Sequence, residues 1–387
     1  MIETTIEFQM SLLLFVALLG YLMAAKINQS VVIAEIIVGF IIGPSILGLI
    51  TYTDFVKSLA HIGAVILMFV IGIEFKMREI YNLRNTIVAL CGVVVPWIAG
   101  YYLAIYSGYS FTTSVFIGTA LTATSIAITA NVLREMNKLD TEVAKIIIGA
   151  AVIDDILGLL ALSISNELVF GELSFSLLFS TLLKASGFIL IGSFVGQKFF
   201  NKQLAKIDQT NLAKRYPEFV FISAMTIAFF YSTLAEMVGL SAIVGAFIAG
   251  VSMEGIRLNT SRDFREGAEY LYIIFASLFF ISLGIIAEIH TITLKEIIFI
   301  AALIIIAILT KVIGCGLAAR VQGMNNRDSL IVGFGMSPRG EVAMIVGLIG
   351  LTANIIDQDI YVSIITMSLI TTIITPIVLR NWFYKEK

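Results

Sequence analysis

Three stretches of the sequence place ionisable or oxygen-rich residues inside long apolar runs. The first, Ala150-Ala151-Val152-Ile153-Asp154-Asp155-Ile156, sets two carboxylates side by side. An ionised carboxylate in hydrocarbon costs about 2.5–3.5 kcal/mol on insertion scales, so the pair must face a polar cavity or a counter-charge. Consecutive helical residues point about 100° apart, so both can border one cavity without sharing a face. Mutual repulsion spreads their two proton steps apart, which suits groups that exchange protons near neutral pH. The second is Ala307-Ile308-Leu309-Thr310-Lys311-Val312. An ammonium in hydrocarbon is as costly as a carboxylate, which makes Lys311 the natural partner of the acids. Snorkelling to the headgroups is the other reading, since Lys311 lies about 10 Å of helix rise from the inner end of its run.

The third feature is a pair of polar interruptions. Thr119-Ala120-Leu121-Thr122-Ala123-Thr124-Ser125 and Gly333-Phe334-Gly335-Met336-Ser337-Pro338-Arg339-Gly340 each stand at the centre of an apolar run. Thr122, Thr124, Ser125 and Ser337 can supply hydroxyl oxygens, and Gly and Pro338 break the backbone ladder and free carbonyls. Freed carbonyls and half-helix ends are the groups that coordinate a small cation at the midplane. Arg339, Glu341 and Glu74 are read as structural charges that neutralise half-helix ends. Glu35 and Glu236 sit near the ends of runs and are expected to be wetted. Lys184 either snorkels or meets an acid, and His61 and His290 are expected near the outer surface. Cys91 and Cys315, both in apolar stretches, are too few for a disulfide framework or a four-ligand metal site. Gly39-x-x-x-Gly43 permits close helix packing.

The elements that position these groups follow from composition. Of 387 residues, 59% are hydrophobic and 13% charged, against about 25% charged in soluble domains, which excludes a soluble globular protein. A net charge of −2 without a clustered basic surface excludes a nucleic-acid binder. Glu3 and Glu7 precede the first apolar run, so that run is expected to be a transmembrane helix and not a cleaved signal. At about 20 residues per crossing, the apolar runs predict thirteen spans near 8–25, 31–50, 59–75, 86–106, 112–133, 143–165, 174–197, 218–237, 239–254, 269–288, 295–318, 329–352 and 360–379. With this assignment 20 of the 25 basic residues fall on one side, which predicts a cytoplasmic C-terminus and an external N-terminus. Ile36, Phe40, Ile41, Gly43, Ser45 and Gly48 match Ile243, Phe247, Ile248, Gly250, Ser252 and Gly255 at a constant offset of 207, and Gly72 matches Gly284 at 212. Seven spans separate the copies, so they would lie inverted in the membrane, the arrangement of alternating-access secondary transporters.

With Asp154-Asp155, Thr122-Ala123-Thr124-Ser125, Thr310-Lys311, Gly43-Pro44-Ser45 after Ala34-Glu35-Ile36, and Ser337-Pro338-Arg339-Gly340-Glu341, the chain resembles the monovalent cation:proton antiporter-2 family. The nearest type is the electrogenic NapA/NhaA-type sodium/proton antiporters. The resemblance implies an all-α polytopic membrane protein of about 13 transmembrane helices, with inverted repeats and two crossed discontinuous helices. It implies a homodimer, with dimerisation helices in 1–85 and 216–290, core ion-transport helices in 86–166 and 294–382, and a linker helix in 174–200. Residue by residue, it makes Asp155 the carrier of Na⁺ (or Li⁺) and protons, Asp154 the partner of Lys311, and Thr124 and Ser125 the border of the site. The resulting expectation is an exchanger of the plasma membrane that extrudes cytoplasmic Na⁺ for H⁺, with no enzymatic step and no cofactor. The chain ends at Lys387, so no cytoplasmic nucleotide-binding domain is expected. Three other readings compete. A potassium/proton antiporter of the same family is one, because cavity size and ligand number set the cation. An intramembrane aspartyl protease is the second, although the acids are adjacent and the Gly-x-Gly-Asp motif of those enzymes is absent. A channel is the third, and it leaves the titratable pair and lysine unexplained.

Overall fold

The structure is a computed structural model and describes residues 5–76, 80, 82–170, 175–216, 218–254, 256, 264–287 and 294–385. These form helices α1 (Ile6–Ile27), α2 (Val31–Ile42), α3 (Asp54–Ile73), α4 (Leu83–Tyr106), α5 (Phe111–Ala120), α6 (Ile126–Glu135), α7 (Glu142–Phe170), α8 (Phe175–Val195) and α9 (Asn201–Asp208). They continue with α10 (Asn211–Arg215), α11 (Glu218–Met237), α12 (Ala242–Ser252), α13 (Phe264–Ile285), α14 (Leu294–Val321), α15 (Asn326–Gly335), α16 (Glu341–Thr352) and α17 (Gln358–Val378). Wider π-type turns join α8 to α9 at Gly196–Phe200 and follow α17 at Leu379–Phe383. An all-helical chain is what hydrocarbon requires, because each backbone N–H and C=O is satisfied within its own segment. Among the described residues, nine helices are long and apolar enough to cross a membrane, and four shorter apolar helices accompany them.

Each apolar run of the sequence coincides with a helix or with two half-helices. Polar side chains at the edges start them: Asn82, Ser110, Asn325 and Asp357 accept hydrogen bonds from the backbone N–H groups of Asn85, Thr113, Asp328 and Ile360, satisfying donors that a first turn leaves orphaned. The second run is shorter than its apolar length predicts. Its helix stops at Ile42 because Gly43 is extended, with φ −68° and ψ −177°, as the residue before a proline must be. The seventh is longer, since α8 runs on through the π turn into α9.

Contacts divide the chain into two compact units. The first comprises Met1–Lys57, Ile80–Leu178 and Phe280–Lys387, and the second Ser58–Glu79 and Phe179–Phe279. Lipid tails are as apolar as leucine, so helices in a bilayer are held by close packing and not by the hydrophobic effect. Glycines provide that packing in both units. In the first, a β-carbon at Gly284 would lie 2.2 Å from the Ile36 carbonyl oxygen, and one at Gly39 would lie 2.2 Å from that of Ile281, so α2 and α13 meet backbone to backbone. In the second, a β-carbon at Gly72 would lie 2.4 Å from the Phe247 oxygen, and one at Gly250 2.2 Å from the Phe69 oxygen, joining α3 to α12 in the same way. Gly72, Gly250 and Gly284 belong to the sequence repeat and Gly39 does not; the repeat pairs Gly250 with Gly43, one turn beyond Gly39, where a β-carbon would lie 3.0 Å from Ile285 Cα. Each crossing joins a helix of one copy to a helix of the other through small residues.

In the first unit, Phe116, Ile117 and Leu121 from the α5 end pack with Leu303 and Ala307 of α14, Ala343 and Val346 of α16 and Ile364 and Met367 of α17. That cluster surrounds the helix breaks described below. Leu18, Leu22, Ile191 and Ile298 are more than 60% exposed, the outward apolar surface expected of lipid-facing helices. One expectation is overturned. Glu35 is 2% exposed and not wetted, because α1 covers this face of α2: a β-carbon at Gly20 would lie 2.8 Å from Glu35 Cγ.

Candidate functional site

The fifth and twelfth apolar runs are both interrupted at their centres. Residues 121–125 separate α5 from α6, and residues 336–340 separate α15 from α16. Pro338 cannot continue a helix, and the two links satisfy one another where their own helices cannot. The Ser125 N–H donates to the Pro338 carbonyl at 2.9 Å. Thr124 Oγ1 donates to the Met336 carbonyl at 3.3 Å, and Thr129 Oγ1 to that of Gly335 at 2.6 Å. A β-carbon at Gly340 would lie 2.7 Å from Ser125 Oγ, so only glycine lets the links approach this closely. Thr122 Oγ1 turns back to the Thr119 carbonyl and Ser337 Oγ to that of Gly333.

Four half-helix ends meet here: the C-termini of α5 and α15 and the N-termini of α6 and α16. Cations are stabilised near helix C-termini, and Arg339 is placed accordingly. Fully buried, it donates from its two terminal nitrogens to the carbonyls of Ala123, just beyond α5, at 2.7 Å and of Ala307 on α14 at 3.1 Å. Its backbone is held in turn by α17, where Thr371 Oγ1 accepts from the Arg339 N–H and Thr372 Oγ1 donates to its carbonyl.

Lys311 of α14 reaches the crossing from the side. Its Nζ donates to Asp154 Oδ1 at 3.0 Å and to Thr124 Oγ1 at 2.6 Å. Lys311 is 0% and Asp154 1% exposed, so the ion pair is fully desolvated and Lys311 does not snorkel. Asp155, one residue on, is only half-buried, as the 100° offset between neighbours dictates. Around this crossing the structure thus gathers Asp154, Lys311, Thr124, Ser125, Pro338 and Arg339. Glu74 instead stands exposed in the turn that ends α3, and the side chain of Glu341 lies outside the described residues, as does His290. Among the described residues, no three His, Cys, Asp or Glu gather to hold a resident metal. The groups at the crossing are carboxylate, hydroxyl and carbonyl oxygens, hard ligands suited to a small alkali cation.

This geometry agrees with what the sequence matches. The family model described as "Sodium/hydrogen exchanger, transmembrane" matches residues 13–385. The chain belongs to the sodium/hydrogen exchanger family. Among curated exchanger relatives, the Na(+)/H(+)-K(+) antiporter GerN of Bacillus cereus is 34% identical, the match covering 97% of this chain and 96% of that one. The Na(+)/H(+) antiporter of Enterococcus hirae is 30% identical, covering 97% of each. The sodium proton antiporter MjNhaP1 of Methanocaldococcus jannaschii shares the fold, with a TM-score of 0.75 at 18% identity over 98% of this chain and 96% of that one.

Several residues of this exchanger's crossing escape a reading of the sequence. Thr129 sits within a helix and reaches the other link only because the breaks cross. Thr371 and Thr372 form a hydroxyl pair inside the last apolar run, a signal that was available. The Ala123 and Ala307 carbonyls carry no side-chain signature. Away from the crossing, His61 Nε2 lies 3.7 Å from Glu236 Oε1, both about half exposed, and Lys184 is exposed.

Proposed function

We propose that this exchanger-family protein is a sodium (or lithium)/proton antiporter that extrudes cytoplasmic Na⁺ in exchange for H⁺ by alternating access. The observation that carries this is the desolvated Asp154–Lys311 pair beside the Thr124 hydroxyl, at the crossing of two broken helices. With no cation present, Lys311 neutralises Asp154. When Na⁺ arrives at the half-buried Asp155, the carboxylates turn to it, Lys311 loses its partner, and protons leave. The reverse sequence takes up protons and releases Na⁺, so cation and protons compete for one carboxylate site. Thr122, Thr124, Ser125, Ser337 and Pro338 line it, and Arg339 holds the half-helix ends. The cycle makes and breaks no covalent bond to a substrate and calls for no cofactor.

Exchange of two protons for one Na⁺ would move one net charge, and the membrane potential then contributes about 2.3 kcal/mol per 100 mV. This makes the exchange electrogenic. The reading extends to a homodimer in the plasma membrane, N-terminus outside and C-terminus in the cytoplasm. Within it, 1–85 and 216–290 serve dimerisation, 86–166 and 294–382 transport, and 174–200 links them. The name of GerN, which includes K⁺, favours a second reading, a potassium/proton antiporter. Purified protein in liposomes with an imposed pH gradient tests both, with pulses of Na⁺, Li⁺ or K⁺ while internal pH and membrane potential are recorded. Collapse of the gradient by Na⁺ and Li⁺ alone, abolished by Asp155→Asn, is the expected result. A K⁺ response equal to that of Na⁺ would replace the substrate. No cation response, or a fully active Asp155→Asn, would refute the mechanism.

A further inference from the structure

The wall of the Asp154–Lys311 pair on the α4 side is a residue without a side chain. A β-carbon at Gly92 would lie 2.7 Å from Cys315 Sγ, 3.3 Å from Lys311 Nζ and 3.6 Å from Asp154 Oδ1. The first distance is shorter than β-carbon contacts in proteins, and the second is tight enough that Nζ must give by a few tenths of an ångström. Cys315 stands one helical turn beyond Lys311 on α14 and is fully buried, its Sγ donating to the Val88 carbonyl, one turn before Gly92. The thiol thus fills part of the notch left by Gly92, and the ammonium occupies the rest. Pro96, inside α4, has no N–H for the Gly92 carbonyl. The residue bordering the pair therefore carries an acceptor without the donor that normally closes its helical turn.

We propose that Gly92 is a positioning residue of the exchange site: the missing side chain at 92 sets where Lys311 Nζ stands between Asp154 and Thr124. This rests on the reading of Asp154 and Lys311 as cation- and proton-handling groups. A methyl group at 92 displaces two things, a thiol that no step uses and an ammonium that competes with Na⁺ for Asp154. Removing the thiol separates them. Nζ is hydrogen-bonded to Asp154 from α7 and Thr124 from the first link, with the charge of Arg339 from the second link and the thiol of Cys315 from its own helix acting on it, so a shift of Nζ is a shift among these groups.

The test uses the full chain in liposomes and reads the half-maximal Na⁺ concentration and the maximal rate of Na⁺-driven proton movement. Gly92→Ala, Cys315→Ala and the double variant are compared, and the melting temperature of each is measured in detergent. Cys315→Ala is expected to keep the parent's half-maximal Na⁺ concentration. Gly92→Ala is expected to move it about tenfold, in either direction, as displacement of one charge-assisted hydrogen bond would. The double variant is expected to keep that shift while recovering melting temperature, because Sγ is gone and the contact with Nζ remains. Should Gly92→Ala fail to fold, the double variant supplies the reading. A double variant with the parent's Na⁺ response reduces Gly92 to a packing partner of Cys315 and overturns the proposal, as does an unchanged Gly92→Ala. A parent protein that moves no protons with any cation overturns the transport reading and this inference with it. An active parent beside an unaffected Gly92→Ala overturns this inference alone.

Discussion

Lys311→Met removes the charge that neutralises a carboxylate 1% exposed to solvent while keeping the length and volume of the side chain. Breaking a buried ion pair from one side strands the remaining charge and costs about 3–5 kcal/mol. Loss of the 2.6 Å bond to Thr124 Oγ1 lies within that figure, because the hydroxyl still donates to the Met336 carbonyl. At roughly 1–2 °C per kcal/mol for a chain this long, thermal unfolding in detergent should shift down by about 3–10 °C. The decisive comparison is Asp154→Asn/Lys311→Met. A neutral pair of similar volume has no charge to strand, so at least half of the lost stability is expected to return. If Lys311→Met melts with the parent, or if the double variant is no more stable than the single one, the desolvated ion pair is not what Lys311 contributes.

Other outcomes follow from the same geometry. Thr124→Val takes away the acceptor of Lys311 Nζ and the donor to Met336 and should cost about 1–3 kcal/mol, with a slower Na⁺-driven proton movement in liposomes; parent-like melting would remove Thr124 from the site. Arg339→Gln strips charge from carbonyls at two helices and is expected to destabilise by about 3 kcal/mol in chemical unfolding, whereas Arg339→Lys, which keeps charge but not the fork, should recover only part of it. Gly72→Ala and Gly284→Ala push a methyl group into a facing backbone carbonyl in the two equivalent crossings. Each should lower the melting temperature by the equivalent of about 1–3 kcal/mol, and a large effect at one with none at the other would break the equivalence of the repeat. Asp155→Asn should leave melting unchanged within about 1 kcal/mol while abolishing exchange, which separates the role proposed for Asp155 from the contribution of the buried Asp154–Lys311 pair to stability.

Much of this protein is legible from residue types alone, and the reason is the solvent. In hydrocarbon an ionised side chain is costly whatever surrounds it, so Asp154, Asp155, Lys311 and Arg339 mark themselves as groups that need a polar cavity or a counter-charge, without any knowledge of their neighbours. Helices are likewise obligatory, and a Gly-Pro or Thr-rich centre in an apolar run shows where one must break. The offsets of 207 and 212 that pair Gly43 with Gly250 and Gly72 with Gly284 point to a repeat. Proximity is what only the tertiary structure decides. Lys311 stands 157 residues from Asp154 and 187 from Thr124; residue types left it open between acids and headgroups, and the packing of α14 against α4 and the crossing gives it to Asp154. The burial of Glu35 under α1, the hold of Thr371 and Thr372 on Arg339 and the notch at Gly92 depend on which helix faces meet. In a bilayer, apolar faces are equivalent as solutes, so composition cannot choose among them; shape can, through glycine-sized approaches that exist only once the helices are in place.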